Sequence, residues 1–274
     1  MRYRAFAIDL DGTLLAGESV PQANIDALKT AIAQGVYVII ATARWKEKAL
    51  EVQDLLGIRN TLIACSGAQV YDPTAPAGER DVFSARLPEE FTRELFEICN
   101  AERCIATITS GDSVRVKLEG EPVASMMGDE MSWVRALEVN PDDLPRIGAI
   151  QGSSACARIK AELQAKYAGS VNIFDSIGPT GRLIITITAK VAEKGTALAA
   201  ACAYLNIQPA EVVAFGDAEN DLAMFRYAGA AVAMGQADED VKAAATFVSL
   251  PHEQGGVGHA VLQLLEHGDF ETLD

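Results

Sequence analysis

Four short runs of apolar, largely β-branched residues recur along the chain, and stretches with helical spacing lie between or beside them. The runs cover residues 5–8, 36–41, 61–64 and 212–215. Strands that alternate with helices are typical of a parallel sheet covered by helices. The sequence therefore predicts an α/β fold with a Rossmann-like, doubly wound parallel sheet as its core.

The segment between the first two runs shows this alternation. Ile25, Leu28 and Ile32 are spaced to share one helical face. Pro21 lies near the start of the segment and Gly35 just past its end. Proline fits the first turn of a helix and glycine commonly ends one, so we expect a helix between them. The connection is short enough for a right-handed crossover between parallel strands.

A different pattern begins after residues 73–78, which are rich in Pro, Ala and Gly and predict a linker. The segment that follows predicts helices at 89–100 and 154–167 among strands that look like hairpin partners. The predicted strands are 104–109, 114–118, 147–150, 171–174 and 183–188. We therefore expect a core of residues 1–81 and 189–274 that carries an inserted α+β domain of residues 82–188.

Length, composition and charge limit the classes of partner. The 274-residue chain is 49% hydrophobic, which is enough to bury a sizeable core. Its formal net charge of −15 argues against nucleic acid and anionic membranes as partners, because both bind clustered Lys and Arg. Neither a membrane-spanning apolar run nor a signal-peptide pattern is present, so we expect a cytoplasmic protein. A small anion remains compatible with the charge, because a local site acts at contact range.

The cysteines and histidines show no pattern that carries chemistry. The five cysteines lie in mostly apolar stretches without paired metal-ligand spacing, which predicts reduced, buried thiols. They are Cys65, Cys99, Cys104, Cys156 and Cys202. His252, His259 and His267 fall late in the chain, and we expect surface positions without a functional role for them.

Each of the four apolar runs ends, at its carboxyl end, in a polar residue. These residues are Asp9, Thr42, Ser66 and Asp217. The carboxyl ends of the strands in an open α/β sheet form the ligand crevice. Four polar endings at one edge therefore predict a functional site.

The first ending is followed by a second carboxylate. Asp9 and Asp11 are spaced by two, which in an extended chain points both to one face. Such crowding raises the pKa of one carboxyl group unless a cation or hydrogen-bond donors compensate. Asp217, Asn220 and Asp221 add hard oxygen ligands without His or Cys, which favours magnesium. The alternatives are an ordinary Asp-Gly turn and acidic residues in the first turn of a helix.

Lys194 is the candidate second cation. Leu198, Cys202 and Leu205 follow it with helical spacing, which places Lys194 at or near a helix N-terminus. That position also favours a bound anion. A solvated surface lysine is the alternative.

Thr42 has two interpretations. Its hydroxyl could bond a phosphate oxygen, or it could cap the helix that follows. Arg44 and Trp45 beside it either face a substrate or lie on the surface of that helix.

Together these residues resemble the haloacid dehalogenase superfamily of phosphohydrolases. The segment "DLDGT", which begins at Asp9, is similar to the first motif of that family, and Thr42 is similar to the second. Lys194 and the segment "GDAEND", which contains Asp217, are similar to the third and fourth motifs, in the expected order. The insertion between the second and third motifs and the ending "VAMGQADEDVKAAATFV" look like the Cof-type branch. The resemblance covers nearly the whole core, residues 1–80 and 190–260.

The resemblance implies a role for each matched acid. Asp9 would attack phosphorus and form an aspartyl-phosphate. Asp11 would protonate the leaving alcohol and later activate water. The main-chain carbonyl of Asp11 would join Asp9 and Asp217 as ligands of Mg²⁺.

The resemblance also implies phosphate-binding and supporting residues. Asp9, Thr42 and Lys194 would contact the transferring phosphoryl group. Asp221 would orient Lys194 or the waters of the metal, and Asn220 would help to hold these groups.

Two positions depart from the pattern of the branch. Its usual Thr-Gly-Arg reads Thr-Ala-Arg at 42–44, and its usual Asn-Gly-Ala reads Ser-Gly-Ala at 66–68. Alanine permits a tight turn at ordinary backbone angles, so we expect little loss at Ala43. The short Ser66 side chain affects substrate contacts more than the chemistry. The candidate substrate contacts are Ala43, Arg44, Ser66 and Gly67.

The function implied is a magnesium-dependent phosphatase that hydrolyses a small phosphorylated metabolite, such as a sugar phosphate, with the inserted domain closing over it as a cap. A phosphomutase is one alternative, although only one helix fits between Leu14 and Val36, where such relatives carry their cap. A signalling receiver phosphorylated on Asp is another, although Asp26, the only acid between Glu18 and Thr42, falls in a helix. The substrate and the oligomeric state stay open.

Overall fold

The computed structural model describes residues 2–118, 131–177 and 183–269. The chain divides into two compact units, one of Met1–Phe83 with Glu193–Asp274 and one of Ser84–Ala192. Each helix in the described ranges is too short or too polar to reach across a bilayer.

Strands and helices are numbered in chain order. The strands are β1 (Ala5–Ile8), β2 (Tyr37–Ile40), β3 (Leu62–Ala64), β4 (Gln69–Tyr71), β5 (Asp81–Ser84), β6 (Ile105–Ser110), β7 (Ser113–Lys117), β8 (Met131–Val134), β9 (Ile147–Gln151), β10 (Val171–Ile177), β11 (Leu183–Ala189), β12 (Val212–Gly216), β13 (Ala230–Ala233) and β14 (Phe247–Val248). The α-helices are α1 (Gln22–Ala33), α2 (Lys46–Leu56), α3 (Glu89–Ala101), α4 (Ser153–Ile159), α5 (Lys194–Leu205), α6 (Leu222–Tyr227), α7 (Glu239–Ala243) and α8 (Gly256–His267).

β1 is an inner strand of a parallel sheet in the first unit. The strand order is β14-β13-β12-β1-β2, and Ala5 pairs with Val212 on one side and with Tyr37 on the other. All residues of β1 are fully buried, because a parallel strand of this kind is covered on both faces. The fold class expected from the sequence is confirmed.

α1 begins and ends where the sequence predicts, but it buries a different stripe. Its buried residues are Asn24, Ala27, Leu28 and Ala31. Ile25 and Ile32 are only half-buried. The reason is Asn24, whose side chain donates to the Leu14 carbonyl at 3.2 Å and accepts from the Gly258 N–H of α8 at 2.7 Å. Both ends of the Asn24 amide are hydrogen-bonded, so this polar side chain can lie among the buried residues.

Two expectations about the edge of this sheet are wrong. β3 pairs antiparallel with β4 in a separate sheet, β3-β4-β5, and meets the end of β2 through a parallel bridge between Ala41 and Ile63 and a hydrogen bond from the Thr42 N–H to the Ile63 carbonyl. Residues 73–78 form the loop between β4 and β5, closed by a hydrogen bond from Asp72 N–H to the Arg80 carbonyl at 2.8 Å. They are therefore a turn within the first unit and not a linker, because Pro and Gly favour both kinds of segment.

The second unit is built on a six-stranded sheet in the order β10-β11-β9-β6-β7-β8. Its neighbouring strands pair antiparallel, except β7 and β8, which are parallel. α3 and α4 pack through an apolar cluster that includes Phe91, Leu95, Ile150 and Ile185. The sequence did not predict β8, and the helix expected at 154–167 is α4 followed by a π-helical turn at Lys160–Gln164.

Candidate active site

β1 and β12 are neighbours in the parallel sheet, so the residues that follow them meet at one edge. Asp9 follows β1, and its backbone N–H donates to the Phe215 carbonyl at 3.1 Å. Asp217 follows β12, and Asp221 ends the short 3₁₀ helix Glu219–Asp221 just beyond it. A carboxylate oxygen of each aspartate lies within 4.8 Å of one from each of the other two. The fold thus brings together acids that are far apart in the chain.

Lys194 is the cation of this group. It is the first residue of α5, and its side chain is 1% exposed. Its Nζ lies 2.5 Å from Asp9 Oδ1 and 2.6 Å from Asp221 Oδ1. A buried ammonium needs such partners to offset its lost hydration. The expected place at a helix N-terminus is confirmed, and the surface-lysine alternative is wrong. We call Asp9, Lys194, Asp217 and Asp221 the inner cluster.

The inner cluster has an excess of negative charge, and the pKa values reflect it. Burial raises the pKa of Asp9 well above its usual value, because Lys194 does not outweigh burial and the neighbouring carboxylates. Burial also raises the pKa of Asp217. Burial by itself would lower the pKa of Lys194, but Asp221 and Asp9 outweigh it and raise that pKa. Protons, or another cation, are therefore favoured at this site.

Asp221 holds the lysine and the loop after β12 together. It is fully buried, and while its Oδ1 accepts from Lys194, its Oδ2 accepts from two backbone N–H groups at 3.0 and 3.2 Å. Asn220 beside it is exposed. Thr13 donates to Asp217 Oδ1 at 2.9 Å, a contact that the sequence analysis missed. The place of Thr13 within "DLDGT" was the signal that could have revealed it.

Two glycines let the backbone approach the inner cluster. Gly12 has a φ of 78°, which favours glycine, and a Cβ there would clash with the Asp217 carboxylate. Gly67 has a φ of 90°, and a Cβ there would clash with the backbone of Glu193, the residue before α5. Gly67, a candidate substrate contact from the sequence, thus lets the loop after β3 pack against the start of α5.

Asp11 lies outside the inner cluster, because β1 ends before Asp9 and the chain turns. The expected crowding of the two carboxylates is therefore wrong: Asp9 is buried, and the Asp11 side chain is 48% exposed beside Arg44. Arg44 Nη2 lies 2.6 Å from Asp11 Oδ1, and its Nε lies 2.9 Å from Oδ2. The same guanidinium contacts Glu18 with Nη1 at 2.9 Å and Nη2 at 3.0 Å. Lys48 Nζ lies 3.5 Å from Glu18.

Asp11, Glu18, Arg44 and Lys48 form a second group of charges, which we call the outer cluster. The Arg44 hydrogen bond is the main reason that the pKa of Glu18 lies below its usual value. Glu18 could not be found from the sequence, because nothing in its spacing relates it to Arg44.

Thr42 lies just past β2 and is fully buried. Its hydroxyl oxygen accepts from the Arg44 N–H at 3.1 Å, and its carbonyl accepts from the Ser66 N–H at 3.1 Å. The N-cap of α2 is Trp45, so the alternative in which Thr42 caps that helix is wrong. Of the other candidate substrate contacts, Ala43 is exposed and Ser66 is half-buried with a φ of 55°.

The inner cluster fits a hard divalent cation. Its donors are carboxylate oxygens, and the net charge is −2 when its three acids and Lys194 are all ionised. Oxygen ligands of this kind favour Mg²⁺ over softer metals, and a divalent cation would balance the charge. Asp9, Asp217 and Asp221 are the side chains that can hold it. The Asp11 side chain is not in this group. The metal ligand expected from Asp11 is its main-chain carbonyl.

Two histidines lie deeper than expected. His252 is half-buried, and its backbone N–H donates to Gln236 Oε1 at 3.0 Å. Gln236 Nε2 in turn donates to the Gly12 carbonyl at 2.7 Å. His259 is also half-buried. The expectation of surface positions is wrong for both, and it is confirmed for His267. The five cysteines are buried and form no disulfide within the described ranges, as expected.

The comparison with known families agrees with this geometry. Residues 6–261 match the family of haloacid dehalogenase-like hydrolases. The chain belongs to this family. The expected family and enzyme class, a hydrolase of the phosphatase type, are therefore confirmed, and the receiver-domain alternative is excluded.

Relatives resemble the chain over almost its full length. The 5-amino-6-(5-phospho-D-ribitylamino)uracil phosphatase YwtE of Bacillus subtilis is 26% identical over 289 residues, which span 96% of this chain and 98% of YwtE. The structure of TM0651 from Thermotoga maritima has a TM-score of 0.79 at 26% identity and covers 99% of this chain and 100% of its own. The subclass IIB sugar phosphatase BT4131 has a TM-score of 0.75 at 25% identity, with 97% and 99% covered.

Proposed function

We propose that the protein is a magnesium-dependent phosphatase that hydrolyses a small phosphorylated metabolite through an aspartyl-phosphate on Asp9. The observation that carries this proposal is the inner cluster. It places a buried carboxylate at the carboxyl edge of the sheet, with the Lys194 ammonium 2.5 Å away and two further acids beside it. Phosphoryl transfer is catalysed mainly by positioning and by nearby positive charge, because the oxygens of the transferring group are negatively charged in the transition state.

Asp9 is the nucleophile in this proposal. Its carboxylate attacks phosphorus, and the bond between phosphorus and the alcohol oxygen breaks. Water then cleaves the aspartyl-phosphate and releases inorganic phosphate. Lys194 contacts Asp9 Oδ1, so its charge lies beside the reacting group. Thr42 accepts a hydrogen bond from Arg44, which leaves its hydroxyl proton for a phosphate oxygen.

Asp11 carries the proton in both steps. It gives a proton to the leaving alcohol oxygen and later takes one from the attacking water. Asp11 and Asp9 lie in different surroundings, one half-exposed and one buried, which lets two neighbouring carboxylates take different roles.

The metal would be held by Asp9, Asp217, Asp221 and the main-chain carbonyl of Asp11. Bound there, Mg²⁺ would supply positive charge to the transferring group. Asp221 keeps Lys194 in place through the 2.6 Å contact, and Asn220 lies on the same short helix.

Two relatives support an inference about the substrate class. YwtE is a phosphatase of 5-amino-6-(5-phospho-D-ribitylamino)uracil, and BT4131 is a sugar phosphatase. We infer that this chain acts on the phosphate ester of a sugar or a sugar alcohol, with Ser84–Ala192 as a cap domain that selects among such esters. A hydrolysis screen over sugar phosphates, sugar-alcohol phosphates and pyridoxal phosphate, with and without Mg²⁺, tests the inference. Hydrolysis of pyridoxal phosphate alone would contradict it.

Replacement of Asp9 tests the mechanism. Asp9→Asn removes the nucleophile with little change in volume, and we expect turnover of p-nitrophenyl phosphate in Mg²⁺ to fall by at least about a thousandfold. Asp26→Asn, at an exposed position of α1, is the matched control and should keep the wild-type rate. A folded Asp9→Asn protein with near wild-type turnover would contradict the proposal.

A further inference from the structure

Arg44 lies between two carboxylates, and each of them contacts two nitrogen atoms of its guanidinium. Nε and Nη2 donate to Asp11 at 2.6–3.2 Å, and Nη1 and Nη2 donate to Glu18 at 2.9–3.0 Å. Paired contacts of this kind fix the relative orientation of the two groups as well as their distance. Both oxygens of Asp11 therefore have defined partners.

Arg44 is itself held at both ends. Its backbone N–H donates to the Thr42 hydroxyl at 3.1 Å, and its Nη1 and Nη2 donate to the two carboxylate oxygens of Glu18. Glu18 lies on the loop between β1 and α1, and Lys48 on α2 adds a second cation 3.5 Å from it. Glu18 and Asp11 thus contact the same guanidinium group.

We propose that Glu18 and Arg44 are positioning residues for Asp11: Arg44 fixes the orientation of its carboxyl group, and Glu18 fixes Arg44. This inference rests on the proposed function, in which Asp11 carries the proton, and it replaces the expectation that Arg44 contacts the substrate. The side chains of Asp11 and Glu18 are 48% and 74% exposed, and exposed ion pairs contribute little to the free energy of unfolding. The effect of the pair therefore lies in turnover.

Two aryl phosphates with different leaving groups test the proposal. Phenolate is a much stronger base than p-nitrophenolate, so the departure of phenol depends more on a well-placed acid. We expect Glu18→Gln to lower kcat/KM for phenyl phosphate by about tenfold and for p-nitrophenyl phosphate by less than about twofold. Equal losses on both substrates would overturn the proposal. If phenyl phosphate reacts too slowly, a sugar phosphate from the screen replaces it.

Variants of Arg44 sharpen the result. Arg44→Ala should also lower kcat/KM more for phenyl phosphate than for p-nitrophenyl phosphate, with a larger ratio between the two losses than Glu18→Gln. Arg44→Lys should not restore the wild-type ratio of the two kcat/KM values, because lysine lacks the planar guanidinium group. An increase in KM of equal size on both substrates, without a change in kcat, would assign Arg44 to substrate binding instead and overturn the proposal.

A matched control and a double variant separate positioning from charge. Glu51 contacts Lys48 at 3.2 Å, so Glu51→Gln removes a negative charge next to the outer cluster and should leave both kcat/KM values unchanged. In an Asp11→Asn background, Glu18→Gln should cause no further loss, because the group that it positions has gone. A further loss there would show that Glu18 acts elsewhere.

The failure of the proposed function has a different signature. If Asp9→Asn is active, the nucleophile is wrong whatever the ratios show. If Asp9→Asn is inactive and Glu18→Gln lowers kcat/KM equally for both aryl phosphates, Asp9 remains the nucleophile and the positioning role of Glu18 and Arg44 is wrong.

Discussion

The inner and outer clusters contain the same kinds of charge in opposite surroundings. The side chains of Lys194 and its two carboxylate partners are 0–7% exposed, whereas those of Arg44 and its two partners are 29–74% exposed. Water screens the outer charges, so their contacts add little stability. The inner charges have lost their hydration, so each depends on the others.

The type of cation matches the surroundings. The compact ammonium of Lys194 contacts one oxygen of Asp9 and one of Asp221, whereas the Arg44 fork contacts both oxygens of each partner. The ammonium leaves the second oxygen of each acid for other partners, which for Asp221 are two backbone N–H groups, whereas the planar guanidinium fixes an orientation. We therefore expect the inner cluster to control stability and metal binding, and the outer cluster to control one carboxyl group.

The largest expected effect comes from removal of the inner cation. Lys194→Met leaves Asp9 and Asp221 buried without their counter-charge, and it should lower the free energy of unfolding by about 3–5 kcal/mol in the metal-free protein. Arg44→Met, the corresponding change in the outer cluster, should cost less than about 1 kcal/mol. Urea unfolding in EDTA at neutral pH measures both. Equal losses would show that the two clusters do not differ in the way that their exposure suggests.

Magnesium should give the next largest effect. At a free concentration of about 100 Kd, a ligand of the folded state adds about 2.7 kcal/mol to the free energy of unfolding. The gain should shrink as the pH falls, because protons compete for Asp9, whose pKa burial has raised. Thermal unfolding over a pH series, with Mg²⁺ or with EDTA, measures the gain.

The metal-free protein should show the opposite pH dependence. The folded pKa of Asp9 lies above the usual value of 3.8, so the folded state holds more protons than the unfolded state between these two values. The contribution of Asp9 to stability therefore falls as the pH rises from about 3.8 through the raised pKa.

Asp217→Asn should remove most of the stabilisation by Mg²⁺, and the control Asp54→Asn on α2 should not. A full gain in Asp217→Asn would place the metal elsewhere.

The difference between the clusters also explains what the sequence could predict. Asp9 and Asp217 follow continuous apolar runs, and Lys194 begins a helix with clear spacing, so each position follows from an apolar run or from a period of 3.6 residues. Glu18 and Arg44 lie on loops, where the contacts depend on the path of the chain and have no period. The inner cluster could therefore be predicted from the sequence, whereas the contacts between Arg44 and its two carboxylate partners could not.

The missed elements have local physical causes. β13 reads Ala-Ala-Val-Ala and β14 has two residues, so neither shows an apolar run that exceeds its surroundings. α1 buries Asn24 because two hydrogen bonds satisfy it, which no hydrophobic pattern reveals. Strand ends and helix starts could thus be predicted, whereas polar contacts that override a pattern could not.

The smallest expected effect is that of salt on the outer cluster. At low ionic strength, Glu18→Gln should change the free energy of unfolding by less than about 0.5 kcal/mol, and in 1 M NaCl, where the screening length is about 3 Å, the change should disappear. The loss caused by Lys194→Met should persist in the same salt, because ions do not reach a side chain that is 1% exposed. Urea unfolding at both salt concentrations measures the two variants side by side. A loss at Lys194 that salt removes would mean that water reaches the inner cluster, and the contrast between the clusters would then be one of residue type alone.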